Sequence, residues 1–232
     1  MEKANRRYAR QIAVPEIGRE GQQKLIEAKV LVVGCGALGS MVAMQLAGAG
    51  IGTIGIADFD NVDISNLQRQ FFFTDSEAGL PKVELLAKKI SALNPEIQVN
   101  IISGFLTPKK GLEIFPDYDF IVDATDNPES KTMIGETSLK MGKGCCIGGV
   151  KDFSGQVMTV LPGTPAFEEF FGYSTSDGVL PCSLGGVMGP AAALCASIQA
   201  SETIKFLVNP DFIDNSIITF NLLTNSFRKF VI

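Results

Sequence analysis

A short β-branched run, Lys29-Val30-Leu31-Val32-Val33, ends in Gly34-Cys35-Gly36-Ala37-Leu38-Gly39. A second apolar run, Thr53 to Ala57, then ends at Asp58. No other feature narrows the choice of fold as much. Residues 38–49 between the two runs are small and apolar, as a helix lying close on a strand must be. The pattern predicts a βαβ unit with parallel strands. In it Gly34 permits the tight turn, Gly36 lets a phosphate approach the backbone, and Gly39 lets helix and strand pack closely. The free N–H groups and dipole of the helix start attract phosphate. Asp58, roughly 20 residues past the turn, stands where such units place the acid that holds ribose hydroxyls.

The alternation continues. Pro81-Lys82-Val83 opens a helix that runs to about Leu93 and ends at Asn94-Pro95. Strands follow at Ile97 to Ile102 and Phe120 to Ala124. Thr125-Asp126-Asn127-Pro128 leads into a helix to about Met141, and Cys145-Cys146-Ile147 begins another strand. The fold class expected is α/β: a Rossmann-like nucleotide-binding sheet with helices on both faces. Beyond residue 148 the pattern changes to a strand over Gly155 to Leu161 and a Gly/Pro/Ser/Phe-rich loop over 162–186. A long apolar helix from Val187 to Val208 and a hairpin of Ser216 to Leu222 with Ser226 to Ile232 close the chain, so the sheet should end in antiparallel strands. The expected organisation is one domain over 1–232, with a helical lead-in at 1–28, a nucleotide-binding half at 29–148 and a second half at 149–232.

Composition excludes several chemistries. At 46% hydrophobic and 19% charged residues over 232 positions the chain is globular. A formal net charge of −5 argues against a general nucleic-acid binder. Histidine is absent, so Ser-His-Asp and Cys-His catalysis are impossible. Cys35, Cys145, Cys146, Cys182 and Cys195 form no Cys-x-x-Cys pair, which leaves zinc unexpected. Met1 to Lys29 is too polar for a secretory signal, and no apolar run has membrane-spanning length. A cytoplasmic protein with free thiols and no membrane association is the expectation.

Beyond Asp58 the segment through Asp60, Ser65, Asn66, Leu67, Gln68, Arg69 and Gln70 departs from an ordinary dinucleotide site. Asn66, Arg69 and Gln70 offer donors that reach phosphates, arginine as a fork of fixed charge. A cation at a helix start, as at Lys82, is unfavourable unless an anion lies nearby. Asp126 stands just past a strand's carboxyl end, where ligands gather, and a carboxylate beside triphosphate suits Mg²⁺. Alternatively Asp126 or Asn127 caps the next helix, and Asp123 within the strand is an equal candidate for the polar role. Arg10 is either a surface residue or a finger reaching across a dimer. Cys182, before a helix, is the cysteine expected to be exposed and reactive.

Together these motifs resemble the ThiF/MoeB/HesA family, relatives of the ubiquitin-activating enzyme, over nearly the whole chain. The resemblance rests on Arg7-Tyr8-Ala9-Arg10-Gln11, the glycine turn, Ser65-Asn66-Leu67-Gln68-Arg69-Gln70, Pro81-Lys82, Thr125-Asp126-Asn127, Ser154-Gly155-Gln156 and Gly189-Pro190. It implies a homodimer that uses ATP and Mg²⁺ to adenylate the carboxyl terminus of a ubiquitin-like sulfur carrier ending in Gly-Gly, here a thiamine-type carrier. Asp58 would hold ribose; Asn66, Arg69 and Lys82 the triphosphate; Asp126 the Mg²⁺. Arg10 would reach the partner's ATP, and Cys182 falls where some members carry a reactive cysteine on a mobile loop. Ala37 stands where the family usually has a third glycine, and the two Cys-x-x-Cys pairs of many members are missing. Other readings are a molybdopterin-type carrier, a tRNA-modifying dehydratase, a carrier-docking protein without catalysis, and, for the glycine turn alone, an NAD-dependent dehydrogenase.

Overall fold

The computed structural model describes residues 6–163 and 186–231. After two N-terminal helices, α1 (Ala9–Ile12) and α2 (Gly18–Glu27), come β1 (Lys29–Val33), α3 (Ala37–Ala49), β2 (Thr53–Asp58), α4 (Lys82–Leu93), β3 (Gln98–Ser103), α5 (Pro108–Ile114), β4 (Phe120–Asp123), α6 (Pro128–Lys140), β5 (Gly144–Lys151), β6 (Ser154–Val160), α7 (Gly189–Val208), β7 (Ser216–Asn221) and β8 (Ser226–Val231). The eight strands form one sheet in the order β3-β2-β1-β4-β5-β6-β7-β8. The first five run parallel and the last three antiparallel. Because β5 pairs along its length with β6, the sheet continues unbroken from the glycine-turn half into the C-terminal half.

The central strands read as continuous apolar runs because both of their faces are covered. Val30, Val32, Ile54, Ile56, Phe120 and Val122 face a core shared with α2, α3, α4 and α7. Leu31, Val33 and Ile121, one residue out of phase, face a second core with Phe115, Tyr118 and Ile134. The small residues of α3 let it lie against α7. Although α7 is long and apolar enough to cross a membrane by length and composition, half of it is buried against the rest of the chain. It carries buried Gln199, Glu202 and Thr203.

Two helical features differ from expectation. The lead-in is broken into two helices, and the seven-residue α5 was not anticipated. Thr107 caps α5 by accepting from the Lys110 N–H, with Pro108 in its first turn. The expected long loop falls mostly on residues 164–185, outside the described residues, and Cys182 with it.

The strand order reverses beside β1, whose neighbours are β2 on one side and β4 on the other. The connections from β1 and β4 therefore leave in opposite directions and open a crevice at the carboxyl ends, where open α/β sheets hold ligands.

Candidate active site

A cleft of about 390 Å³ occupies that crevice. One wall is the glycine turn. Gly34 has φ +92°, and a Cβ there would sit 2.7 Å from the Ala124 carbonyl oxygen, so backbone conformation and contact both demand glycine. A Cβ on Gly39 would lie 1.7 Å from the Gly34 carbonyl oxygen. Gly39 thus serves packing, as expected, and does not border the cleft. At Gly36 the only neighbour of such a Cβ would be Gln70 Nε2 at 3.5 Å, so the missing side chain leaves open space. Gly36 caps α3 without any side-chain hydrogen bond. The first N–H groups of a helix have no acceptor within it, and Ala37 and Leu38, which open α3, line the cleft.

Asp58 anchors the turn. Its Oδ2 accepts from the Cys35 N–H at 2.5 Å, and its Oδ1 from the N–H groups of Phe59 at 2.7 Å and Asp60 at 2.9 Å. The carboxylate borders the cleft with one lone pair, on Oδ2, to spare. Next to it the rings of Phe59 and Phe105 meet at 5.6 Å between centroids, tilted by 56°. Both are more than half exposed, an arrangement the sequence reading did not identify.

The Asp63–Gln70 segment is ordered by a relay of side chains. Gln70 Nε2 donates to Asn66 Oδ1 at 2.8 Å, Asn66 Nδ2 to Ser65 Oγ at 3.2 Å, and Ser65 Oγ to Asp63 Oδ1 at 2.5 Å. The hydroxyl and N–H of Ser65 hold the Asp63 carboxyl below its ordinary range. Asn66, Ser65 and Gln68 border the cleft. Gln70 also borders it but is 4% exposed, and its amide supports Asn66. Leu67 points elsewhere, packing against the larger core. Arg69 donates from Nη1 to the Ser65 carbonyl at 3.2 Å and lines the cleft. Gln68 Nε2 reaches the Val187 carbonyl at 3.4 Å, and Gly189 abuts Phe71 and the Gln68 carbonyl. The start of α7 therefore closes that side.

Lys82 is 4% exposed. It is paired at 3.0 Å with Asp60, which is half exposed. Opposite, Asp126 is exposed and faces the cleft. Asn127 settles the capping question: its Oδ1 accepts from the Ser130 N–H at 2.8 Å, so it caps α6. Asp123 is fully buried and bound by Lys131 and Thr125, so it is not open to a ligand. Lys131, which also borders the cleft, was missed. The signal was present, since a cation in the first turns of α6 poses the same dipole conflict as Lys82. Arg10 is exposed on α1 and does not border this cleft.

The cleft therefore gathers the glycine turn, Asp58, Asp60, Ser65, Asn66, Gln68, Arg69, Gln70, Lys82, Asp126 and Asn127 around one space. It omits Gly39, Leu67 and Arg10 from its walls.

Comparison with known proteins bears on what such a site belongs to. The chain is 37% identical over 230 residues to a probable molybdopterin-synthase adenylyltransferase of Porphyra purpurea, matching 97% of this chain and 60% of that protein. It is 34% identical to a sulfur carrier protein adenylyltransferase of Thermus thermophilus, over 97% of this chain and 86% of the relative. Against the probable adenylyltransferase/sulfurtransferase MoeZ of Mycobacterium tuberculosis the identity is also 34%, over 97% of this chain but 59% of MoeZ. The chain thus spans about three fifths of two of these relatives. Among solved structures, Escherichia coli MccB superposes with a TM-score of 0.83 at 21% identity, covering 98% of this chain and 71% of that one. PaaA does so with 0.84 at 22%, covering 100% and 74%. At that identity the superpositions establish a shared fold. The profile of the ThiF family matches residues 8–232, and with the sequence relatives it shows that this chain belongs to the ThiF family.

Proposed function

We propose that this chain is an ATP-dependent adenylyltransferase that activates the C-terminal carboxylate of a ubiquitin-like sulfur carrier ending in Gly-Gly. The observation that carries the reading is the convergence of Arg69, Lys82 and Asp126 on the cleft that also holds the glycine turn and Asp58. An NAD-dependent dehydrogenase has no use for that set. The names of the relatives speak of molybdopterin synthase and of sulfur carriers, not of thiamine. A molybdopterin-type carrier is therefore favoured over the thiamine-type one that the sequence suggested.

In this reading the Phe59–Phe105 pair gives the base an apolar wall, and the spare lone pair of Asp58 accepts from a ribose hydroxyl. The open N–H groups of α3, Asn66 and Arg69 hold phosphate oxygens. Lys82 exchanges the Asp60 carboxylate for a phosphate when the nucleotide enters. An exposed carboxylate at the mouth of the cleft fits Mg²⁺, which takes one or two carboxylates and completes its shell with phosphate and water. Asp126 would hold it, and the ion would neutralise charge on the leaving phosphates. A carrier carboxylate oxygen attacks the α-phosphorus, the new O–P bond forms, and the bond to pyrophosphate breaks. The protein supplies position and positive charge. No proton must move, so the lack of histidine costs nothing. We further read the protein as a cytoplasmic homodimer in which Arg10 serves the partner's site. The free thiols of the four described cysteines are consistent with a reducing compartment.

Intact-mass spectrometry of a Gly-Gly-ended carrier incubated with ATP and this protein tests the reading. The expected result is a carrier heavier by one adenylyl group, lost with Arg69→Ala. An unmodified carrier with every Gly-Gly-ended protein tried would sink it.

A further inference from the structure

Lys131 and Asp123 form a buried ion pair. Their charged atoms lie 2.8 Å apart, and the side chains are 8% and 0% exposed. An ammonium has three N–H donors. The other two are taken by the Thr125 carbonyl at 2.7 Å and the Gly148 carbonyl at 2.6 Å. Lys131 borders the cleft, yet its three donors are already matched by these three acceptors. Asp123 is engaged at both oxygens: besides Lys131 at Oδ2, its Oδ1 accepts from the Thr125 N–H at 3.1 Å and the Thr125 hydroxyl at 2.6 Å. From α7, Gln199 Nε2 donates to the Asp123 carbonyl at 2.7 Å and the Cys146 carbonyl at 3.2 Å. Thr125 is therefore held at its N–H, its hydroxyl and its carbonyl, one residue before Asp126.

A buried ion pair is a poor way to gain stability, because well-packed apolar residues of similar volume often do as well or better. What an apolar pair cannot do is hold both the donors and the acceptor of one residue. We propose that the Asp123–Lys131 pair is the positioning device of this site: it locks Thr125 to the ends of β4 and β5 and so fixes where the Asp126 carboxylate sits. Lys131 is accordingly a positioning residue and not a phosphate ligand. The proposal rests on the reading of Asp126 as the carboxylate that meets the metal and triphosphate.

Two variants test it. Thr125→Val keeps the shape, removes one link of the lock and leaves the ion pair intact. Asp123→Leu with Lys131→Met replaces the pair by apolar residues. Three quantities are read for each: the melting temperature, the gain in ATP affinity on adding Mg²⁺ by calorimetry, and kcat for carrier-dependent ATP–pyrophosphate exchange. Thr125→Val should melt with the wild type but lose roughly 10-fold or more in both the Mg²⁺-dependent gain and kcat, with the KM for carrier unchanged, as is typical when support behind a metal ligand is removed. The double variant leaves the Thr125 and Gly148 carbonyls without their donor, so it should melt below the wild type and share the loss in kcat. Wild-type kcat and Mg²⁺ dependence in Thr125→Val, or wild-type kcat in a stable double variant, overturn the proposal. Should the double variant not fold, Thr125→Val decides alone. A wild-type protein whose ATP binding ignores Mg²⁺ would instead overturn the reading of Asp126, and the lock with it.

Discussion

Replacing Gly36 by alanine separates protein folding from ligand approach within a single turn. The residue has φ −76°, not the positive φ that favours glycine, and the nearest atom to the added methyl would be Gln70 Nε2 at 3.5 Å, an ordinary contact. Alanine is a poorer N-cap than glycine, by a few tenths to about 1 kcal/mol. The reduced freedom of the unfolded chain returns about 0.4–1 kcal/mol. The two nearly cancel, and for a chain of this size a residual 1 kcal/mol moves the melting temperature by only ~2–4 °C. On the cleft side the methyl occupies the path by which a phosphate oxygen reaches the N–H groups of α3. Each hydrogen bond to a charged group is worth about 1.5–3 kcal/mol, so losing one weakens ATP by roughly 10- to 150-fold. Calorimetry with ATP and a thermal melt measure the two sides. Gly39→Ala is the contrast: its methyl would lie 1.7 Å from the Gly34 carbonyl oxygen, so that variant should lose the fold itself. If Gly36→Ala bound ATP as tightly as the wild type, phosphate would not approach at this turn and the site assignment would be wrong.

Further outcomes follow from the same structure. Lys82→Met should leave the melting temperature unchanged within a few degrees, because its partner Asp60 is half exposed and hydrates readily, while ATP affinity falls about tenfold or more; a calorimetric titration checks this. Burial raises the Glu77 carboxyl, but hydrogen bonds from Lys89 and the Thr74 N–H outweigh it and the group ends below its usual value. That stabilisation is present above the unfolded value of about 4.3 and is lost as pH falls through the folded value. Urea melts of Glu77→Gln and the wild type should therefore differ at pH 7 and converge in acid. Burial pushes the thiols of Cys145 and Cys195 up to about 12, and those of Cys35 and Cys146 well above the ordinary range. These four should resist maleimide in the native protein at about pH 8.5, as peptide mapping would show. Native stability should then decline from the ordinary thiol range upward, since the unfolded chain ionises there and the folded one does not.

Much of this architecture was legible because it is dictated locally. The strands from Lys29 to Val33 and from Phe120 to Asp123 are short apolar runs that only a doubly covered sheet explains, and the glycine turn fixes what joins the first of them to α3. The loss of periodicity after residue 148 marked the antiparallel strands. Helix α5 escaped because seven residues are too few for an amphipathic pattern, although Thr107-Pro108 is a capping signal. Asp58, Asn66, Arg69, Lys82 and Asp126, which motif spacing singles out in the sequence, line one cleft. Lys131 was not singled out, although its place in the first turns of α6 carries the same dipole conflict as Lys82; its acceptors, from β4, the turn after it and β5, come together only in the fold. The aromatic pair escaped for a similar reason: Phe59 and Phe105 are 46 positions apart and meet only after β2 and β3 have paired. Gln70 lies on the cleft wall as expected of a candidate phosphate contact, but the sequence does not show that one of its donors is occupied by Asn66.

If this cleft transfers an adenylyl group to a carrier's terminal carboxylate, the first half-reaction is reversible and depends on that carboxylate. ATP–pyrophosphate exchange, followed with radiolabelled pyrophosphate, tests it most directly. Exchange is expected only when a carrier with an intact Gly-Gly end is present, and none when its final glycine is removed or when Arg69 is replaced by alanine. Exchange that is indifferent to the carrier's last residue, or absent with every such carrier, would contradict it.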